Sequence, residues 1–98
     1  MRALTISKSM DYSLRCNVDF KEHHLLAVIP KAGRITAVLL APRHPEREYS
    51  YFCLNLRDNI HWYCTIEELM EACMRRGICN RFGARRLTRR YNRMKGGK

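Results

Sequence analysis

The clearest hydrophobic pattern early in the chain is a strict alternation over residues 12–20. Apolar side chains at every even position from Tyr12 to Phe20 are separated by single polar residues. Because successive side chains of a strand point to opposite faces, this alternation predicts a half-buried β-strand. The shorter apolar run at residues 3–7 predicts either a strand that pairs with it or a frayed segment.

Two longer apolar runs, at residues 24–29 and 34–40, flank the sequence Pro30-Lys31-Ala32-Gly33. A proline early and a glycine late are typical of a tight turn, so the two runs predict a β-hairpin. Both runs are nearly continuous in hydrophobicity and rich in β-branched residues. This pattern indicates central strands covered on both faces, or strands covered by a helix from elsewhere in the chain.

The sheet is expected to resume after an exposed loop at residues 41–48, which contains two prolines and mixed charges. Residues 49–56 and 60–64 predict two more strands, joined by the polar turn Arg57-Asp58-Asn59. The aromatic residues of these two strands have two interpretations: core side chains with cross-strand contacts, which we expect, or a platform on which single-stranded bases stack. They are Tyr49, Tyr51, Phe52, Trp62 and Tyr63.

The spacing of the apolar residues changes from a strand period to a helix period at Thr65. The sequence Thr65-Ile66-Glu67-Glu68 is a capping box, which predicts the start of a helix. Gly77 suits the left-handed position that ends many helices. A second helical pattern covers about residues 81–94, with Leu87, Tyr91 and Met94 on one stripe. Gly83 predicts an irregular first turn or a hinge, and residues 95–98 a frayed basic end.

These elements predict an α+β fold, with an antiparallel four- to five-stranded sheet followed by two C-terminal helices, the last one Arg-rich. At 98 residues the chain has room for one domain. Within that single domain we distinguish a neutral α+β body, residues 1–79, from a basic C-terminal helix and tail, residues 80–98.

The net charge of +10 lies entirely in the last quarter of the chain. Residues 1–74 carry nine basic and nine acidic side chains, whereas residues 75–98 carry ten basic ones and no acid. Eight of these ten are arginines, whose planar guanidinium suits bidentate binding of phosphate or carboxylate. The predicted polyanion-binding residues are Arg75, Arg76, Arg81, Arg85, Arg86, Arg89, Arg90, Arg93 and Lys95.

Three roles fit such a cationic helix face: contact with a nucleic acid or other polyanion, insertion into an acidic protein groove, or a solvated surface. Arginines repeated at helical spacing without interleaved acids repel one another, and a face that served only solubility would carry both signs. We therefore favour a polyanion partner, DNA or RNA. The apolar side of this helix is too small for a membrane-surface helix, so no membrane partner is expected.

The sequence contains no recognisable catalytic or cofactor-binding motif, and we expect no enzyme, no cofactor and no metal site. The five cysteines are odd in number and none is spaced as CxxC, which argues against a disulfide framework and against structural zinc. Cys16, Cys53 and Cys73 are expected to be small core residues. With no signal-like segment at residues 1–5 and no apolar run long enough to span a bilayer, the expected location is the reducing cytoplasm.

The sequence thus predicts a small non-catalytic accessory protein that binds nucleic acid or a nucleoprotein complex through its Arg-rich C-terminal helix. The alternative is a small protein-interaction module of phage or plasmid type. Such a module would dock on a host nucleic-acid-processing enzyme and inhibit or modulate it, with the basic helix in an acidic groove or DNA channel. Direct binding to naked nucleic acid distinguishes the two.

Overall fold

The computed structural model describes residues 22–57 and 59–97. The strands predicted at residues 3–7 and 12–20 lie outside the described residues, as does Cys16. Four strands and two helices form an α+β fold in the described part of the chain, and the predicted fold class is confirmed.

The first two strands form the predicted hairpin, with β1 at His23–Lys31 and β2 at Arg34–Pro42. Its loop has only two residues, because Lys31 pairs directly with Arg34. Ala32 and Gly33 both adopt positive φ, 55° and 79°, as a two-residue hairpin turn with the twist of the flanking strands requires. The turn is therefore shorter than predicted, and Pro30 belongs to β1.

The sheet is completed by β3 at Phe52–Leu56 and β4 at Ile60–Tyr63, in the order β1-β2-β3-β4 with every neighbouring pair antiparallel. The predicted central position in the sheet is confirmed for β2, whereas β1 lies at an edge of the described sheet. An edge strand tolerates Pro30, which lacks an N–H, and the pairing register shifts beside it.

The third strand starts later than predicted because residues 44–50 fold back on themselves. The backbone N–H of Arg47 donates to the carbonyl of His44 at 3.1 Å, and that of Ser50 donates to the carbonyl of Arg47 at 3.1 Å. The Ser50 hydroxyl also donates to the His44 carbonyl. These bonds take up backbone groups that a strand would pair, so Tyr49 and Tyr51 lie outside β3.

The first helix, α1, spans Ile66–Arg75 and has both predicted ends. The Glu68 N–H donates to the Thr65 hydroxyl at 3.1 Å, while the Glu68 carboxylate accepts from the Cys64 N–H at 3.0 Å, one residue before the position expected for a capping box. At the other end Gly77 has φ of 74°, and the Ile78 N–H donates to the Cys73 carbonyl at 2.8 Å. This closure turns the chain sharply into the second helix.

The second helix, α2, spans Arg81–Gly97 and packs with α1 on one face of the sheet. The core between them contains Leu39, Leu54, Leu69 and Cys73, none of which is exposed. The opposite face of the sheet is buried as well, around Val38, Leu40, Cys53 and Asn55. Cys53 and Cys73 are thus core residues, as predicted, whereas Cys64 is exposed.

Candidate nucleic-acid interface

The start of α2 is fixed by Asn80, whose side-chain oxygen accepts from the Gly83 N–H at 2.9 Å. The Asn80 carbonyl accepts from the Ala84 N–H, also at 2.9 Å. Asn80 is therefore the N-cap residue, a role the sequence analysis missed although asparagine is among the best N-caps. The hinge predicted at Gly83 is wrong, since α2 is continuous from Arg81. Here a Cβ would lie 3.2 Å from the Cβ of Cys79, so glycine allows a close approach.

The apolar stripe of α2 docks the helix on the sheet. Tyr91 is buried and meets Phe52 edge to face, with ring centroids 5.0 Å apart at 73°. Leu87 and Met94 pack against the same core from one turn before and one turn after, and Ala84 is buried within it. The predicted stripe is confirmed, and it fixes which side of α2 faces outward.

The helix also extends three residues beyond its predicted end at Met94, through Gly97. The ammonium of Lys95 lies 5.3 Å from the centre of the Tyr91 ring, within the range of a cation–π contact. A cation in the last turn also interacts favourably with the negative end of the helix dipole. These contacts offset the cost of two glycines at a helix end.

The outward side of α2 carries the predicted cations. At 100° per residue, Arg86, Arg89 and Arg93 fall within about 60° of one another, flanked by Arg85 and Arg90. All five are exposed, and we call them the arginine face. Within residues 22–57 and 59–97, no arginine of α2 takes part in an ion pair with a carboxylate. The positive charge of this face is thus uncompensated by carboxylates at contact distance in the described part of the chain.

The other predicted site residues lie around this face rather than on it. Arg81 is exposed and, with Arg85 and Arg89, lines a shallow cavity of about 330 Å³ beside Met74 of α1. Arg75 and Arg76 belong to the C-terminal end of α1, where a guanidinium nitrogen of Arg76 lies 3.4 Å from Nε2 of His61. Seven of the nine predicted residues therefore share one helix, and two lie on another element.

Sequence reasoning missed Phe82, which is 70% exposed at the N-terminal end of the arginine face. Viewed along the helix axis, Phe82 lies within about 40° of each of Arg86, Arg89 and Arg93. A large apolar side chain in that position has no core to fill. The signal was present in the sequence, because residue 82 falls opposite the Leu87–Tyr91 stripe when the helix is plotted.

The five aromatic residues predicted to lie on the second hairpin differ in burial. Phe52 is buried and Tyr63 packs against the same core, as expected of core side chains. Tyr49, Tyr51 and Trp62 are instead 63%, 39% and 49% exposed, so the core interpretation is wrong for these three.

Neither helix in the described residues is long and apolar enough to cross a membrane. No protein-family description matches the chain, and the comparisons with curated proteins and with solved structures find no similar protein.

Proposed function

We propose that this protein is a non-catalytic accessory protein that binds nucleic acid by contacting backbone phosphates with the arginine face of α2. The observation that carries the proposal is a row of exposed guanidinium groups on one rigid element, with no acidic residue between positions 75 and 98. Guanidinium groups bind phosphate oxygens in bidentate geometry.

The docking of α2 supports this proposal because it gives the arginines a defined geometry. Tyr91 and its neighbours hold the opposite side of the helix against the sheet. Arg86 and Arg93 are separated by seven residues, which is about 10 Å along the axis. Rigid placement reduces the side-chain and backbone entropy lost on binding, relative to a disordered basic tail.

Phosphate contacts supply affinity and register but no direct sequence information. We therefore expect the arginine face to bind many sequences with similar affinity. Any preference between DNA and RNA, or between single strands and duplexes, must come from other side chains.

The test is the affinity of the full chain for fluorescein-labelled duplex DNA, single-stranded DNA and RNA, measured by fluorescence anisotropy. The test variant is Arg89→Gln with Arg93→Gln. The matched control is Lys31→Gln with Arg34→Gln, which removes the same charge from exposed positions at the β1–β2 turn. Loss of two phosphate contacts should lower the nucleic-acid affinity of the test variant by about 25- to 60-fold at 0.1 M salt. The affinity of the control should decrease much less.

Equal losses in the two variants would contradict a specific role for α2, because they would show that only net charge matters. Absence of binding by the unmodified chain would refute the proposal. If the unmodified chain binds no nucleic acid but does bind a polyglutamate peptide, an acidic protein groove would be the favoured partner of the helix.

A further inference from the structure

Three exposed aromatic side chains and the half-buried His23 form a second surface away from α2. His23, Tyr49, Tyr51 and Trp62 line a cavity of about 460 Å³, and the rings of His23 and Trp62 lie 5.9 Å apart at 49°. We call these four residues the aromatic cluster. Exposed aromatic side chains in such proximity are unusual on a small domain, whose exposed apolar residues are normally scattered singly.

The pairing of the strands places the aromatic cluster on the face of the sheet opposite the helices. Trp62 pairs with Cys53, which belongs to the core on the far side of the sheet. The neighbouring Tyr63 pairs with Phe52, and both pack on the helix side. Because side chains alternate along a strand, Trp62 points away from α1 and α2.

The chemistry of the aromatic cluster favours a flat, uncharged ring as its occupant. No carboxylate lines the cavity among the described residues, and the guanidinium of Arg47 lies 5.6 Å from the centre of the Tyr49 ring. Arg47 also donates to the Tyr49 hydroxyl at 3.0 Å and lies 3.6 Å from the Glu22 carboxylate, so its position on the ring is well supported. The Glu22 carboxylate balances the charge of Arg47, so this pair adds no net charge beside the rings. Because the guanidinium already lies against the Tyr49 ring, the rest of the cluster is better suited to a flat aromatic group than to a second cation.

The aromatic cluster and the C-terminal end of α2 lie on opposite faces of the sheet, beside the same end of β1. His23 lines the cluster, while the next residue, His24, lines a cavity together with Tyr91 and Lys95 of α2. Arg43 lines that second cavity as well. The cavity between the C-terminal end of α2 and β1 thus carries two cationic side chains, Arg43 and Lys95, and one carboxylate, Glu46. The aromatic cluster begins on the other face of β1.

We propose that the aromatic cluster stacks one or more bases of a single-stranded nucleic acid whose phosphates are held by the arginine face. The proposal rests on the proposed function for the phosphate contacts and on the aromatic cluster for the bases. A flexible single strand can follow the surface from one face of the sheet to the other, whereas a stiff duplex with paired bases cannot present them there. The chain should accordingly bind single strands more tightly than duplexes.

Trp62 is the only tryptophan of the chain, so its fluorescence reports directly on the aromatic cluster. The probe is an oligothymidylate of about 15 nucleotides, compared with a duplex of about the same length. Stacking of thymine on Trp62 predicts quenching that saturates together with the anisotropy of the labelled oligonucleotide. The duplex should bind with little quenching.

The test variant is Tyr49→Leu with Tyr51→Leu, and the matched control is Tyr49→Phe with Tyr51→Phe, which keeps both rings. Loss of a stacking ring lowers single-strand affinity by about 5- to 150-fold for each base that is no longer stacked. The leucine variant should show this loss and retain its duplex affinity, and the phenylalanine control should bind single strands within about twofold of the unmodified chain.

Tight oligothymidylate binding without any change in Trp62 fluorescence would overturn the stacking proposal and leave the proposed function intact. The same holds if the leucine and phenylalanine variants bind single strands equally well. Absence of anisotropy change with every nucleic acid would instead refute the proposed function, and the stacking proposal with it.

Discussion

Replacing Tyr91 by alanine should destabilise the whole fold, because this buried ring packs α2 against Phe52 of the sheet within one shared core. Tyr91 is 5% exposed and Phe52 is 4% exposed, and the two rings meet edge to face. Truncation of a buried aromatic residue to alanine costs about 3–5 kcal/mol, of which the ring–ring contact contributes about 0.5–1.5 kcal/mol. A domain of this size has a free energy of unfolding of about 5–15 kcal/mol, so the loss is a large fraction of the whole.

The assay is urea unfolding followed by circular dichroism, which reports the helices, and by Trp62 fluorescence, which reports β4. We expect both signals to shift together to a lower urea midpoint, since α2 shares one core with the sheet. The matched control, Tyr91→Phe, keeps the ring and should lose less than about 1 kcal/mol. A loss below about 1 kcal/mol for Tyr91→Ala would refute the reasoning. So would loss of helix signal at an unchanged Trp62 midpoint, since α2 would then fold independently of the sheet.

Three further predictions concern stability. Asn80→Ala should cost about 1 kcal/mol in urea unfolding by removing the N-cap bond of α2, while Asn80→Ser should be nearly neutral; equal losses would contradict the capping role. Ala32→Gly should stabilise the protein by up to about 1 kcal/mol, because Ala32 has a positive φ of 55°; the same substitution at Ala37, within β2, should destabilise it. Burial raises the pKa of the Cys73 thiol from 9.0 to about 12, with the Cys79 thiol adding to the effect, so the folded protein keeps a proton that the unfolded chain releases. The free energy of unfolding should therefore decrease as the pH rises from 9 toward 12, and less steeply in Cys73→Ala; identical pH profiles would contradict this linkage.

Much of the fold follows from local patterns that depend on few long-range contacts. The capping box at Thr65 and the glycine at position 77 both predict ends that the structure contains, because each satisfies backbone groups within a few residues. The stripe on α2 was likewise predictable, since helical periodicity alone brings Leu87 and Tyr91 to one side.

The errors arise where the outcome depends on neighbours that are distant in sequence. The hydrophobicity of β1 resembles that of β2, yet only the strand order makes one an edge and the other central within the described sheet. The start of β3 depended on hydrogen bonds between residues 44 and 50, which compete with strand pairing.

The candidate site was predictable in its charge but not in its shape. The arginines of α2 follow from composition and helical period, whereas Arg75 and Arg76 were grouped with them only because they are close in sequence. The exposure of Trp62 could not be predicted, because a tryptophan in a short strand fits either face and pairing with Cys53 decides which face it occupies. The same applies to the proximity of His23, which is 39 residues distant in the sequence.

The measurement that tests the central claim most directly is the dependence of nucleic-acid affinity on salt. Neutralisation of about five phosphates by the arginine face predicts a slope of log K against log salt of about −4 to −5 on duplex DNA, which is a loss of several hundredfold between about 50 and 200 mM. The Arg89→Gln, Arg93→Gln variant should reduce the magnitude of this slope by about two, whereas the Lys31→Gln, Arg34→Gln control should leave it nearly unchanged. A slope near zero for the unmodified chain, or the same slope in both variants, would contradict the account.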